Sequence, residues 1–160
     1  MTLEDVGADN WRACAALEVR QSQQRFVAPV AYYVALCAYG ESPWRPLAVR
    51  VGEESVGFVM WGIDPEDESF WIGGLIIDRR HQRCGYGRAV VAQLLERAAS
   101  DGHREAALSY DPQNTLAQSL YASMGFVETG ELVDNETVAR RQLNCELTGI
   151  GRVEALDNDP

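Results

Sequence analysis

Apolar residues recur at helical spacing over residues 85 to 100, with Gly102 placed to end the segment. The positions that share this apolar face are Val90, Val91, Leu94, Leu95 and Ala98. Weaker patterns predict a helix from Asp9 or Asn10, either of which suits an N-cap, to Val19. Two further helices are predicted over residues 29–39 and 114–124.

Runs of β-branched and aromatic residues predict seven strands, at residues 2–6, 47–51, 55–63, 70–77, 105–110, 126–132 and 136–143. The 70–77 run is almost wholly apolar, as expected of a strand covered on both faces. Its Gly73 and Gly74 suit a bulge or close backbone approach, or else tight packing. Because helices interrupt the strands, the predicted class is α+β (mixed α/β), with a partly antiparallel sheet.

The length of 160 residues predicts one domain, over residues 1–143, followed by a tail at 144–160 without clear pattern. No apolar run approaches the roughly 20 residues that a membrane span needs, and the first residues are acidic where a signal peptide is basic. These features predict a cytoplasmic protein without a membrane partner.

Charge and cysteine usage exclude two further classes. The formal net charge of -10 and pI near 4.6 argue against a general nucleic-acid binder and suit a cationic substrate. The four cysteines are scattered and form no CxxC pair, so no metal site is expected and reduced thiols are favoured over disulfides.

A basic segment interrupts this acidic chain. Four of the fourteen arginines, at positions 79, 80, 83 and 88, flank Gly85 and Gly87 where a predicted strand gives way to a helix. Backbone N–H groups at such a turn can bind phosphate oxygens, with the helix dipole adding to the attraction. The alternative is a tight turn with solvated arginines. A P-loop is excluded because no Gly-Lys-Ser/Thr follows, and a dinucleotide fingerprint fits poorly because Val90 stands where a small residue is needed.

Two motifs resemble one family. The segment from Gln82 to Gly87, QRCGYG, is similar to the Q/R-x-x-G-x-G/A pyrophosphate loop of the GCN5-related N-acetyltransferases (GNAT). The segment from Asn114 to Phe126 resembles the N-x-x-A-x-x-L-Y-x-x-x-G-F motif of the same family. The resemblance spans residues 3–143. It implies a mostly antiparallel twisted sheet of six to seven strands with a splayed parallel pair and about four flanking helices.

The resemblance also implies a cosubstrate, acetyl-coenzyme A, and a set of residues that bind it through the splayed strand, the loop and the following helices. These residues are Leu75, Ile76, Ile77, Gln82, Arg83, Cys84, Gly85, Tyr86, Gly87, Arg88, Asn114 and Tyr121. Asn114 is equally a helix N-cap. No metal is implied.

The implied reaction is direct attack of a neutral amine on the thioester, without a covalent enzyme intermediate. Tyr121 matches the tyrosine that protonates the departing thiolate; the alternative is a packing role beside Gly125 and Phe126. The strand at 70–77 has no carboxylate before Asp78, so it names no base, and solvent or a water chain to Glu131 or to the 64–68 loop stays open.

The acceptor is predicted to be a primary amine, with a polyamine such as spermidine or spermine favoured. Residues 21–23, 26–27, 61–62 and 129–132 resemble the bacterial spermine/spermidine acetyltransferase branch. The candidate substrate contacts are Phe26, Trp61, Glu66 and Glu131. The acidic loop at 64–68 can pair with ammonium groups or can simply be solvated. The alternatives are a protein or peptide N-terminal acetyltransferase, an aminoglycoside-like small-amine acetyltransferase, and a coenzyme A-binding module without turnover; a homodimer is possible.

Overall fold

A single seven-stranded sheet organises residues 1–143, the part of the chain described by a computed structural model. The strands are β1 (Thr2–Asp5), β2 (Arg45–Val51), β3 (Glu54–Ile63), β4 (Phe70–Ile77), β5 (Glu105–Tyr110), β6 (Val127–Val133) and β7 (Glu136–Gln142). Their spatial order is β1-β2-β3-β4-β5-β7-β6, and of these pairings β4 with β5 is parallel and the others are antiparallel. The predicted mixed class with one parallel pair is confirmed. The predicted tail at 144–160 lies outside the described residues.

Four α-helices cover the sheet, together with a short 3-10 helix at Gln21–Gln23. They are α1 (Trp11–Ala15), α2 (Val30–Tyr39), α3 (Tyr86–Ser100) and α4 (Thr115–Ser123). Alternate residues of a strand face opposite sides of a sheet. Leu47 and Val49 accordingly join the core under α3 and α4, whereas Ala48 and Phe58 join the core under α1 and α2.

The first helix is shorter than predicted. It ends at Ala15 instead of Val19, and Asn10 does not cap it, because the Asn10 side chain bonds Gly7 N and Asp5 O. The chain beyond Ala15 is tied to the loop after β4: Glu18 N donates to the Asp78 carboxylate and Glu18 O accepts from Arg79 N. These long-range bonds replace the local ones that would continue the helix.

Strand β4 carries a bulge and then separates from β5. Its pairing with β3 skips from Met60↔Gly73 to Phe58↔Ile76, and Gly74 has φ +58°, which L residues rarely adopt. Its pairing with β5 ends at Ile72, although β4 runs five residues further. The gap between the two strands is therefore part of the backbone topology. It leaves the end of β4 half-exposed, where the sequence predicted cover on both faces.

Candidate functional site

A cavity of about 510 Å³ lies beside the gap between β4 and β5, within the size range of small-molecule sites. The second half of β4, the loop to α3, the start of α3, and α4 form one part of its wall, and residues 19–27 form the other. Of the predicted coenzyme A residues, it is lined by Leu75, Ile76, Ile77, Gln82, Arg83, Gly85, Tyr86, Gly87, Arg88, Asn114 and Tyr121. Cys84 is exposed and does not line it.

The two glycines of the loop serve different purposes. Gly85 has φ +82° as the N-cap of α3, so the turn itself requires it. Gly87 lies within the helix, and a Cβ there would meet only Leu120 Cδ2 at 3.7 Å and Ile77 Cγ1 at 3.9 Å, which are ordinary contacts. Packing therefore does not require glycine at 87. A ligand that approaches the helix backbone closely would require glycine at position 87. A pyrophosphate bound by backbone N–H groups is such a ligand.

The predicted arginine cluster divides into two pairs. Arg83 and Arg88 line the cavity, whereas Arg79 pairs with Glu18 at 3.0 Å and Arg80 pairs with Asp78 at 2.8 Å. Arg20 also lines the cavity and was not predicted from the sequence. It lies some sixty residues before the loop in a polar linker, so no local pattern connects it to the anion site.

The Asp78 side chain fixes the loop between β4 and α3 through hydrogen bonds. Its side chain is 3% exposed and accepts hydrogen bonds from Glu18 N, Arg80 N and Arg80 Nε. Burial raises the pKa of this carboxyl, but the hydrogen bonds and the Arg80 charge outweigh it and lower the pKa overall. The charged carboxylate thus joins the end of β4 to the segment after α1.

Gln82 links the loop to the opposite wall. Its Nε2 donates to Ile77 O at 3.0 Å and to Gln23 Oε1 at 2.8 Å, which connects β4 with the 3-10 helix. Both hydrogen bonds of the Gln82 side-chain amide nitrogen are therefore made within the protein. Residues 21–27, between the first two predicted helices, thus contribute to the cavity wall.

Tyr121 and Asn114 lie where α4 meets the cavity. Asn114 is the N-cap, its Oδ1 accepting from Ala117 N, which confirms the capping interpretation. Tyr121 is 9% exposed and packs against Tyr110 and Phe126, with ring centroids 5.7 and 6.0 Å away. Burial, with the nearby Glu136 carboxylate and Tyr110, raises the pKa of Tyr121, so the phenol stays protonated at neutral pH.

The predicted substrate contacts are not brought together. Phe26 lines the cavity, but Trp61, Glu66 and Glu131 do not. Trp61 is a core residue stacked on Phe70 at 5.1 Å with the Arg97 guanidinium 4.0 Å from its ring. Glu66 lies in the exposed β3–β4 turn, and Glu131 pairs with a guanidinium on β7.

No group of three or more His, Cys, Asp or Glu side chains within residues 1–143 is arranged to hold a metal ion. None of the helices in this range combines the length and apolarity of a membrane span.

Comparison with known proteins was informative. Residues 11–126 match the model of the acetyltransferase (GNAT) family. The chain is 28% identical over 142 residues to the spermine/spermidine N(1)-acetyltransferase of Bacillus subtilis strain 168, covering 82% of this chain and 91% of that protein.

Solved structures share the fold. The spermidine N-acetyltransferase of Vibrio cholerae, in complex with CoA and spermine, superposes with a TM-score of 0.68 at 19% identity, covering 89% of this chain and 95% of that one. The ribosomal-protein-S18-alanine N-acetyltransferase of Escherichia coli gives a TM-score of 0.67 at 18% identity, covering 98% and 99%.

Proposed function

The chain belongs to the acetyltransferase (GNAT) family and is an acetyl-CoA-dependent N-acetyltransferase, and on that premise we propose that its acceptor is a polyamine such as spermidine or spermine. The observation that carries the acceptor proposal is an excess of carboxylates on the sheet face away from α3 and α4. The similarity to a spermine/spermidine N(1)-acetyltransferase over most of both chains supports it.

The carboxylates surround one guanidinium. Arg140 contacts Glu105 at 2.7 Å, Asp67 at 3.0 Å and Glu131 at 3.1 Å. Hydrogen bonds from Ser69 and Arg140 lower the pKa of Asp67, so it stays ionised. Three carboxylates against one cation leave an excess of negative charge, which suits a substrate carrying a second ammonium group.

In the proposed reaction the acceptor amine attacks the thioester carbonyl directly. Arg83, Arg88 and the first turn of α3 bind the pyrophosphate, and the end of β4 binds the pantetheine arm. Tyr121 donates a proton to the departing thiolate. The phenol is protonated at neutral pH because its pKa is raised by burial, and its position in the cavity wall allows it to act as general acid.

The experiment is an acetyl-CoA-dependent thiol-release assay with spermidine, spermine, an aminoglycoside and an alanine-terminated peptide, corrected for hydrolysis without acceptor. Mass spectrometry of the product identifies the modified nitrogen. We expect the highest kcat/KM with the polyamines, and a KM for spermidine that rises with salt because its attraction to carboxylates is screened. A tenfold preference for the peptide contradicts the proposal. Binding of acetyl-CoA without turnover of any amine indicates a binding module instead.

A second candidate is acetylation of protein N-termini. The fold similarity to the ribosomal-protein-S18-alanine N-acetyltransferase favours it, since it extends over 98% of this chain. The peptide in the same assay decides between the two acceptors.

We also propose a homodimer and a cytoplasmic location. The edge strand β6 is exposed throughout and carries three exposed apolar side chains, Val127, Leu132 and Val133. Light scattering of the purified protein across a concentration series tests the dimer, and cell fractionation tests the location.

A further inference from the structure

Glu136 begins β7 beside the point where β4 and β5 separate. In the β5–β7 register Ser109 lies opposite Val138, so Glu136, two residues from Val138, shares its sheet face. The Glu136 Oε2 accepts a hydrogen bond from Ser109 Oγ at 2.6 Å. Ser109 is the first residue of β5 past its last pairing with β4. The carboxylate is therefore fixed at the edge of the gap.

Two phenols lie near the gap, on opposite sides of the sheet. Tyr33 of α2 packs on the bulge, its Cγ 3.4 Å from where a Cβ of Gly74 would lie. Tyr121 of α4 lies on the other side, in the cavity wall. Burial raises the pKa of both Tyr33 and Tyr121, and the Glu136 charge adds to the shift of each.

No cation neutralises Glu136 within residues 1–143. The ion pairs formed there by β7 involve Arg140, which pairs with Asp67, Glu105 and Glu131 instead. The Glu136 carboxylate bonds the Ser109 hydroxyl, its residue pairs with the apolar Val133 of β6, and the two phenols that its charge affects are neutral. A half-buried carboxylate with neutral neighbours is a suitable partner for an incoming ammonium group.

We infer that Glu136 is the general base of the transfer reaction, accepting a proton from the acceptor's ammonium group at the gap between β4 and β5. This inference rests on the proposed function. The freed amine nitrogen then forms its bond to the thioester carbon from the α2 side while the carbon–sulfur bond breaks. The thiolate takes a proton from Tyr121, and the proton lost by the new amide nitrogen restores the phenol. The proton on Glu136 passes to solvent, so one proton is released per turnover.

The placement also accommodates a polyamine. Glu136 and Arg140 lie on one face of β7 four residues apart, which is about 13 Å along a strand. An acceptor whose reacting ammonium is at Glu136 can reach the carboxylates around Arg140 with its distal ammonium. The sequence offered no base on β4, and the structure supplies one from a strand sixty residues later.

The test compares Glu136→Gln with the wild type across pH 6 to 10, measuring kcat/KM for spermidine and the Kd of acetyl-CoA. We expect kcat/KM to fall by about 100-fold at pH 7, a typical contribution of a general base. The deficit should shrink as the pH approaches the pKa of the amine, because free amine then enters without the base. The acetyl-CoA Kd should not change. Glu53→Gln, in the exposed β2–β3 turn, is the matched control and should behave as the wild type.

Glu136→Asp keeps a carboxylate and should retain more activity than Glu136→Gln, which separates loss of the base from loss of folding. The inference is overturned if Glu136→Gln stays within threefold of the wild type, or if its deficit is the same at every pH. If the wild type turns over another amine of the panel but not spermidine, the polyamine proposal fails, and the same pH series with that amine decides the role of Glu136. If it turns over none, the inference falls with the proposed function.

Discussion

The substitution Gly87→Ala distinguishes the effect of this position on protein stability from its effect on acetyl-CoA binding. A methyl group at this position would lie 3.7 Å from Leu120 Cδ2 and 3.9 Å from Ile77 Cγ1, so it fits without displacing a neighbour. Alanine is favoured over glycine inside a helix by roughly 0.5–1 kcal/mol. Near the first turn we expect the lower part of this range, and hence an unfolding free energy that is unchanged or raised by about 0.5 kcal/mol.

The effect on acetyl-CoA should have the opposite sign. Gly87 lines the cavity at the N-terminus of α3, and a methyl group there stands between the backbone and the pyrophosphate. Losing one hydrogen bond to a charged group costs about 1.5–3 kcal/mol. We therefore expect the Kd of acetyl-CoA to rise roughly tenfold to a hundredfold. Isothermal titration gives the Kd, and urea unfolding gives the stability.

Two other glycines control for backbone strain. Gly85 and Gly102 have φ of +82° and +86°, and a Cβ at either position would meet nothing within 4 Å. Alanine at each should destabilise the protein by about 1–2 kcal/mol through the left-handed conformation alone. Gly102→Ala, far from the cavity, should leave acetyl-CoA binding intact. The reasoning is refuted if Gly87→Ala binds acetyl-CoA as tightly as the wild type, or if it loses more than about 1 kcal/mol of stability.

Three further outcomes are expected. Tyr121→Phe should lower kcat by about 100-fold with an unchanged acetyl-CoA Kd. Because the ring packing against Tyr110 and Phe126 is kept, thermal stability should also hold, and full activity across pH contradicts the acid role. Arg83→Glu should raise the KM for acetyl-CoA at least tenfold, whereas Arg79→Glu, whose partner is Glu18, should raise it much less; equal KM values would remove Arg83 from the site. Asp78→Asn should cost about 1–3 kcal/mol of unfolding free energy at pH 7. Because the folded-state pKa of Asp78 is lowered, the stabilisation by its carboxylate is present above the unfolded pKa of about 3.9 and is lost as pH falls through the folded value. The unfolding free energies of wild type and variant, measured by denaturant titration, should therefore converge in acid. A constant difference from pH 7 to pH 3 contradicts this.

The local sequence pattern predicted a strand or a helix cap correctly where the residues that form it lie within a short segment. The strands Phe70–Ile77 and Glu105–Tyr110 have the bounds that their apolar runs predicted, because both are central strands. The Asn114 cap was also predictable, since a cap is made within a few residues. The first helix was predicted too long because Glu18 bonds Asp78 and Arg79, sixty residues away.

The residues of the candidate site were predicted only where they lie in contiguous motifs. The pyrophosphate loop and Tyr121 lie in contiguous motifs, so the sequence located that wall of the cavity. The acceptor side has no contiguous motif. Trp61 and Glu131 do not line the cavity, because burial against Arg97 and pairing with Arg140 depend on which distant segments become neighbours.

The sequence by itself determined most of the elements, the glycine-containing turn before α3 and the family, because hydrophobic period, turn residues and contiguous motifs are properties of short segments. The tertiary structure alone decided that β5 leaves β4 after Ile72 and pairs with β7. That topology opens the gap and places Ser109, with the Glu136 carboxylate bonded to it, at its edge. Pairing between distant strands is selected by burial of the whole sheet, and no local pattern encodes it.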